Sequence, residues 1–527
     1  MDVYLTANIV IFIIFLYSEM RLARAEYTEK LLLLSFDGFR WDYLDKVETP
    51  FLDYIAGCGA KAPYINGTFI TKTFPSHYTI ATGLYEESHG IIGNTMYDPI
   101  FDEVFSIKAR TGKEGRWWGG EPIWLTVKKQ HKVSGTYFWP GSDVSIQNEN
   151  ANMWFNYNQN TPYEDRVNKM VSWFKGEDKI QDKPTSFNFV AMYYHEPDFS
   201  GHQHGPDSAE VEQAVKDVDR LIGYLLNKLR ANNLLEVVNI IITSDHGMTK
   251  MSQDKIITLT DYVTVSDVER VPDHGPICNI LPNKKDQDAK QRLYNQLKDA
   301  HPNMTVYLKE DIPDIFHYKN NRRVMPILAI ADEGWVIRWN QSFMFPGNGT
   351  HGYDNRYMSM KPIFMAMGPN FKEGITVNPF KQVDIYPLMC QLLNVQPAAN
   401  NGSLASVSSM LRNTPSEVHW PPLPKSEETT AQPDNDGSSE VNQPLTRTSS
   451  PIEVEQPPLP KSEETTAQPD IDISSKVNQP LPRTSSPIEV EQPISTTPMS
   501  SQAHTHGLHL VDILLKFMCS FSITLLI

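Results

Sequence analysis

Apolar runs of strand length constrain this chain more than any other feature. Leu31–Phe36, Phe187–Tyr194, Val237–Thr243 and Ile363–Met367 are each nearly free of polar residues and each ends in them. Helical patterns lie between. The clearest spans Ser208–Leu229, with Val211, Val215, Val218, Leu221, Ile222, Leu225 and Leu229 on one stripe. Buried strands alternating with helices predict an α/β fold, a central mostly parallel sheet flanked by helices, as a single globular unit over residues 26–400. Ligands of such sheets gather beyond the carboxyl ends of the strands.

The residues at those ends are rich in metal-ligating types. Asp37 follows Leu-Leu-Leu-Leu-Ser-Phe and precedes Gly38, and Asp245-His246 follows Asn-Ile-Ile-Ile-Thr-Ser. Asp198 and His202 lie just past a third run. Their spacing of four would share a helix face, but Pro197, Gly201 and Gly205 predict a tight loop. Thr73, in Thr-Lys-Thr-Phe-Pro-Ser-His, marks a helix start, where an N-cap and an activated hydroxyl look alike. His351, between Thr350 and Gly352, is unremarkable alone and completes a second set of three. Oxygen and imidazole ligands in this mixture suit two zinc-like ions, and two ions in one pocket suit phosphoryl transfer.

Taken in order, Ser-Phe-Asp-Gly-Phe-Arg, Thr-Lys-Thr-Phe-Pro-Ser-His-Tyr, Gly-Ile-Ile-Gly-Asn, Trp-Pro-Gly-Ser-Asp, Glu-Pro-Asp-x3-His, Ser-Asp-His-Gly-Met and Gly-x-His-Gly-Tyr are specific. They resemble the ectonucleotide pyrophosphatase/phosphodiesterase family of the alkaline phosphatase superfamily, over about residues 28–396. The resemblance implies two Zn2+ ions, one held by Asp37, Thr73, Asp245 and His246, the other by Asp198, His202 and His351. It implies a two-step in-line displacement in which Thr73 attacks phosphorus, forms a nucleotidyl-threonine, and is released by water. Asn94 matches the side chain that donates to a phosphate oxygen. Phe74 and Tyr157 match a pair that sandwiches the nucleobase, and Trp139 and Asp143 fall in the adjoining base-pocket motif. No Cys-rich module precedes the unit and no nuclease-like domain follows it, as in the family's short members. Some of those act on nucleotides or dinucleotides and others on choline phosphodiesters; Phe74, Asn94 and Tyr157 favour nucleotides. A catalytically silent surface receptor is the remaining alternative, and the intact ligand set speaks against it.

Composition and the two ends suggest where the chain works. A net charge of −16 argues against binding a nucleic-acid polymer. Residues 1–25 read as a signal peptide, with an apolar core at Asn8–Tyr17 and a small-x-small motif at Ala23–Ala25. Residues 401–503 read as a Pro/Ser/Thr/Glu-rich disordered stalk containing a tandem 36-residue repeat, 421–456 and 457–492. Residues 504–527 read as a hydrophobic anchor signal. Asp512 and Lys516 within it fit a removable lipid-anchor signal better than a single transmembrane helix. Five sequons, at Asn66, Asn303, Asn340, Asn348 and Asn401, agree with display outside the cell. Apart from Cys519 in the tail there are three cysteines, Cys58, Cys278 and Cys390, so at least one has no partner within the chain.

Overall fold

The computed structural model describes residues 29–413 and 418–425. The leader, the stalk beyond residue 425 and the anchor lie outside the described residues. An eight-stranded sheet organises the fold. Its strands are β1 (Lys30–Phe36), β2 (Ala60–Ala62), β3 (Ser134–Tyr137), β4 (Met153–Phe155), β5 (Phe189–Tyr194), β6 (Val238–Thr243), β7 (Phe364–Met367) and β8 (Ile375–Thr376), in the order β8-β2-β7-β6-β1-β5-β3-β4. From β6 through β4 every pairing is parallel. Only β7, the fourth apolar run, is antiparallel to its neighbours β6 and β2. The sheet is therefore mostly parallel, as the apolar runs require.

Strand β1 sits at the centre and is buried along its whole length. Its side chains alternate between two cores, as a pleated strand must. Leu31 and Leu33 join the face covered by Thr73–Thr82 (α1) and the helix Ile385–Leu392. Leu32, Leu34 and Phe36 join the face covered by Ala209–Ala231 (α3) and the helix Tyr163–Lys175. Ser208 caps α3, its hydroxyl accepting from the Val211 amide, and the predicted stripe is buried except for Leu221, which is half-buried.

Between β6 and β7 the chain builds a second, four-stranded antiparallel sheet, ordered Val268–Arg270, Ile277–Pro282, Ile327–Ala331, Met304–Leu308. No strand of it was singled out from the sequence. All three described cysteines are free and buried. None of the five sequon asparagines is buried.

The packed unit runs past residue 400, where the change of composition placed its boundary. Val407 and Met410 are fully buried. Further on, the Trp420 indole donates to the Leu235 carbonyl at 3.2 Å, and Tyr54 and Arg230 both donate to the Pro421 carbonyl. Two apolar side chains hidden at the start of an otherwise Ser-rich segment were too few to read as a periodic pattern. Ending the chain after residue 400 should lower its stability by about 3–6 kcal/mol relative to a chain ending after residue 425, since each fully buried side chain contributes about 1.5–3 kcal/mol. Denaturant midpoints of the two secreted proteins measure this.

Candidate metal centre

Backbone geometry brings the seven predicted residues together. Asp37 lies one residue past β1 and Asp245 two past β6, on adjacent parallel strands. Gly38 then turns with φ +67°, its amide donates to Asp245 Oδ1 at 3.0 Å, and a Cβ there would stand 2.8 Å from the Asp198 Cβ. Only glycine serves at that position. The Asp198 amide donates to the Asp37 carbonyl at 2.9 Å, which fixes the loop after β5 beside β1.

Asp198 and His202 are not in a loop. Asp198–His204 forms a short helix, α2, so the spacing of four does place both on one face. Gly201 was misleading as a turn signal: it lies within the helix, where a Cβ would press on the Met248 side chain at 3.0 Å, and its carbonyl oxygen is approached so closely by Gly349 that a Cβ there would fall 2.2 Å away. That contact seats the two-residue strand Gly349–Thr350, which pairs with Thr249–Lys250 and delivers His351. Thr73 is the first residue of α1, with Lys72 at the N-cap, and its Oγ1 lies 3.4 Å from His246 Nε2.

The result is two adjoining ligand clusters, Asp37–Asp245–His246 and Asp198–His202–His351. The rings of His246 and His351 stack at 3.5 Å across the junction. All three imidazoles are fixed in one tautomer. Nδ1–H of His246 donates to the Gly247 carbonyl, that of His351 to Thr71 and that of His202 to Gly349, at 2.8, 2.8 and 2.9 Å. Each Nε2 is thereby left facing the carboxylates, where an ion can displace any proton it carries, the arrangement metal-bound histidines adopt.

The donor set fits a pair of cations. His202 Nε2 and His351 Nε2 face each other at 3.1 Å. Two lone pairs that close repel unless a cation lies between them, and imidazoles sharing a tetrahedral ion at about 2.0–2.1 Å stand about 3.3 Å apart. Asp37 Oδ1, Asp245 Oδ2 and Asp198 Oδ1 are buried without a hydrogen-bond partner, which is expensive for carboxylates unless an ion takes that place. Burial, then the charges of Asp245 and Asp198, push the Asp37 carboxyl well above its usual range. Burial likewise raises Asp198. Burial opposes ionisation of Asp245 too, but His246 and His77 outweigh it and hold that carboxyl well below the ordinary range.

Sequence reasoning missed the residues behind these ligands. The Tyr193 hydroxyl donates to Asp37 Oδ2 at 2.6 Å. His77, fully buried, receives the Ser35 hydroxyl at Nε2 (2.8 Å) and points Nδ1 at the Thr73 carbonyl (2.8 Å) and at Asp245 (3.4 Å). Tyr193 pairs with Ser35 in the β1–β5 register, so its position beside Asp37 was implicit in the strand ends. The register itself was not readable.

The expected substrate residues occupy different surroundings. Asn94 Oδ1 accepts from the Phe74 amide at 3.1 Å, which leaves the Asn94 NH2 group free to donate elsewhere. Phe74 packs on Trp118, while Tyr157, 45 % exposed, packs on Phe138 and Tyr193; the two rings do not touch each other. Trp139 is 1 % exposed and gives its indole N–H to the His77 carbonyl, so it packs beneath α1. Asp143 pairs with Lys113.

A mostly parallel α/β sheet with two carboxylate–imidazole clusters at its carboxyl edge defines a two-metal hydrolase centre. Residues 31–354 match the family described as type I phosphodiesterase / nucleotide pyrophosphatase, and the chain belongs to that family. It is 42 % identical over 386 residues to human ectonucleotide pyrophosphatase/phosphodiesterase family member 5, covering 73 % of this chain and 78 % of that protein. It is 43 % identical over 388 residues to the bis(5'-adenosyl)-triphosphatase of Xenopus laevis, covering 73 % and 82 %. Among solved structures, murine member 5, an inactive threonine-to-alanine variant in complex with AMP, superposes with a TM-score of 0.69 at 42 % identity. That match covers 73 % of this chain and all of the other. With its two ligand clusters, the chain is a metal-dependent hydrolase of this family.

Asp37→Asn offers a test of the electrostatics. Because the folded state raises the Asp37 pKa, its charge destabilises metal-free protein at neutral pH, and that penalty disappears as pH falls through the raised value. Chelator-treated Asp37→Asn should therefore melt higher than chelator-treated wild type at pH 7. The advantage should vanish on acidification, and added metal should stabilise the variant less than wild type, since the Asp198–His202–His351 cluster is untouched.

Proposed function

We propose that this chain is a zinc-dependent nucleotide pyrophosphatase/phosphodiesterase. It would act at the cell surface, hydrolysing extracellular nucleotides or dinucleotides to nucleoside 5'-monophosphates through a covalent nucleotidyl-Thr73. One observation carries the reading: Thr73 opens a helix with its hydroxyl beside Nε2 of a ligating histidine. Asp37, Asp245, His246 and Thr73 would hold one zinc ion, and Asp198, His202 and His351 the other. When bound, the ions supply the positive charge that lets a hydroxyl ionise near neutral pH and that offsets charge building on phosphoryl oxygens.

The chain's own groups perform the rest. Thr73 Oγ1 attacks phosphorus in line, the bond to the leaving oxygen breaks, and the threonine ester forms. Water then attacks the same phosphorus and restores the threonine hydroxyl. His77 and the first turn of α1 hold the nucleophile's backbone in place. The free amide of Asn94 donates to a phosphoryl oxygen. Phe74 and Tyr157 take the planar base by stacking, a contact tolerant of base identity. Binding of AMP by the murine relative and the name of the Xenopus relative favour nucleotides over choline esters. Surface display rests on the leader and anchor signals, with sugars at Asn66, Asn303, Asn340, Asn348 and Asn401.

The direct assay is hydrolysis of p-nitrophenyl-TMP by the secreted protein. Turnover should vanish with chelator and return with zinc. Thr73→Ala should reduce kcat by about 10³-fold or more while AMP binding survives. Tyr157→Ala should raise KM by about 5- to 100-fold, the worth of one stacked base, with kcat nearly unchanged. Absence of metal-dependent turnover, or full activity of Thr73→Ala, would defeat the proposal.

A further inference from the structure

A second cavity, of about 260 Å³, opens behind the segment that leads into Thr73. Three cations line it, Arg356, Lys361 and Lys381, and no Asp or Glu does. In a chain of net charge −16 that concentration of positive charge is unusual.

The two lysines form no ion pair among the described residues. Lys361, only 6 % exposed, holds the Asn66 Oδ1 and the Asn355 carbonyl at 2.8 and 2.6 Å. Those are neutral acceptors; the Asp354 carboxylate offsets the buried ammonium only from beyond ion-pair distance and is already engaged by Arg356. Lys381 is exposed at the rim. Arg356 is paired with Asp354 at 2.6 Å, yet most of its side chain is open to solvent, and its guanidinium stands 5.6 Å from the Phe316 ring centroid. The buried carboxyls of Asp354 and Asp384 act on Lys361 and Lys381 from beyond ion-pair distance, and Glu86 lies behind Thr68, whose hydroxyl it accepts.

The remaining wall is aromatic. Phe316 stacks on Phe69 at 4.2 Å, and His317 stacks on Tyr85 at 3.9 Å. Positive charge beside flat rings is the chemistry that selects an anionic group carried on a planar ring. We propose that this cavity binds a phosphate or sulfate monoester of a planar ring compound. The anion would sit between Lys361, Lys381 and Arg356, and the ring against Phe316 and Tyr85–His317.

The site is also wired to the centre described above. Asn355 Nδ2 donates to the Gly67 carbonyl at 2.7 Å, joining the two segments of the wall. One of these segments reaches Thr73 a few residues on, and the other follows His351. Thr71, on the path between, accepts His351 Nδ1–H at its carbonyl and the Gly352 amide at its hydroxyl. Occupancy would therefore bias both the nucleophile and one ligand. The reaction proposed above releases a compound of this class; binding at the cavity does not depend on that reading.

Hydrogen–deuterium exchange on the full chain, with AMP, adenosine or inorganic phosphate as the probe, tests the assignment. AMP should slow exchange at residues 66–69, 315–317 and 355–356 by at least threefold. Adenosine and phosphate at equal concentration should do so far less. The rim variant Lys381→Gln/Arg356→Gln should lose this protection, keep AMP protection around Thr73 and Tyr157, and retain unstimulated hydrolysis within about twofold. Protection confined to the catalytic centre, or unchanged in the rim variant, would overturn the proposal. So would equal protection by inorganic phosphate, or protection seen only after enzymatic removal of sugar from Asn66.

Discussion

Three carboxylates that cannot share one another's company without a countercharge govern this molecule. Asp37, Asp198 and Asp245 are drawn to one buried point by strand order and by the tight turn at Gly38, and each keeps an oxygen that no donor in the protein satisfies. Attraction to His246 and His77 outweighs burial at Asp245, and at Asp198 the histidines offset it only in part. The burden falls on Asp37, which is why its ionisation is opposed so strongly. A divalent cation reverses that sign, converting mutual repulsion into shared attraction. The three imidazoles, each tied down through Nδ1, are already in the form such an ion needs. Folding thus builds a strained acidic pocket whose relief is its chemistry.

The fold was largely legible because its central strands are buried on both sides. Such strands must be continuously apolar, so their limits and the residues just beyond them stand out in a linear sequence. Asp37 and Asp245 were readable for that reason. His351 was not readable by spacing alone, since a two-residue strand paired to Thr249–Lys250 has no pattern to detect. At Asp198–His202 the glycines argued for a loop, but Gly201 sits inside a helix against Met248, and Gly205 ends that helix at φ +91°. Composition cannot tell a glycine that turns the chain from one that makes room for a neighbour.

Support behind the ligands was the least visible layer. Tyr193 and His77 are ordinary core residues by composition, and their value comes from register and from a helix lying over the sheet. Trp139 belongs in this layer as well: its motif marked the region, and the indole braces the helix that carries Thr73. The second sheet escaped for a similar reason. Its short strands alternate or break, and nothing in them resembles the long buried runs. It still matters, since Asp273 at its edge pairs with Lys72 next to the nucleophile, at 2.5 Å.

The clasp made by Tyr54, Arg230 and Leu235 on Trp420 and Pro421 has a mechanical meaning. Leu235 lies at the entrance of β6, whereas Asp245 lies past its exit, and six residues of strand separate the two by about 20 Å. The chain therefore departs from the pole of the body opposite to the mouth of the metal pocket. A pull on that departing segment loads the clasp and the base of the sheet before any ligand loop.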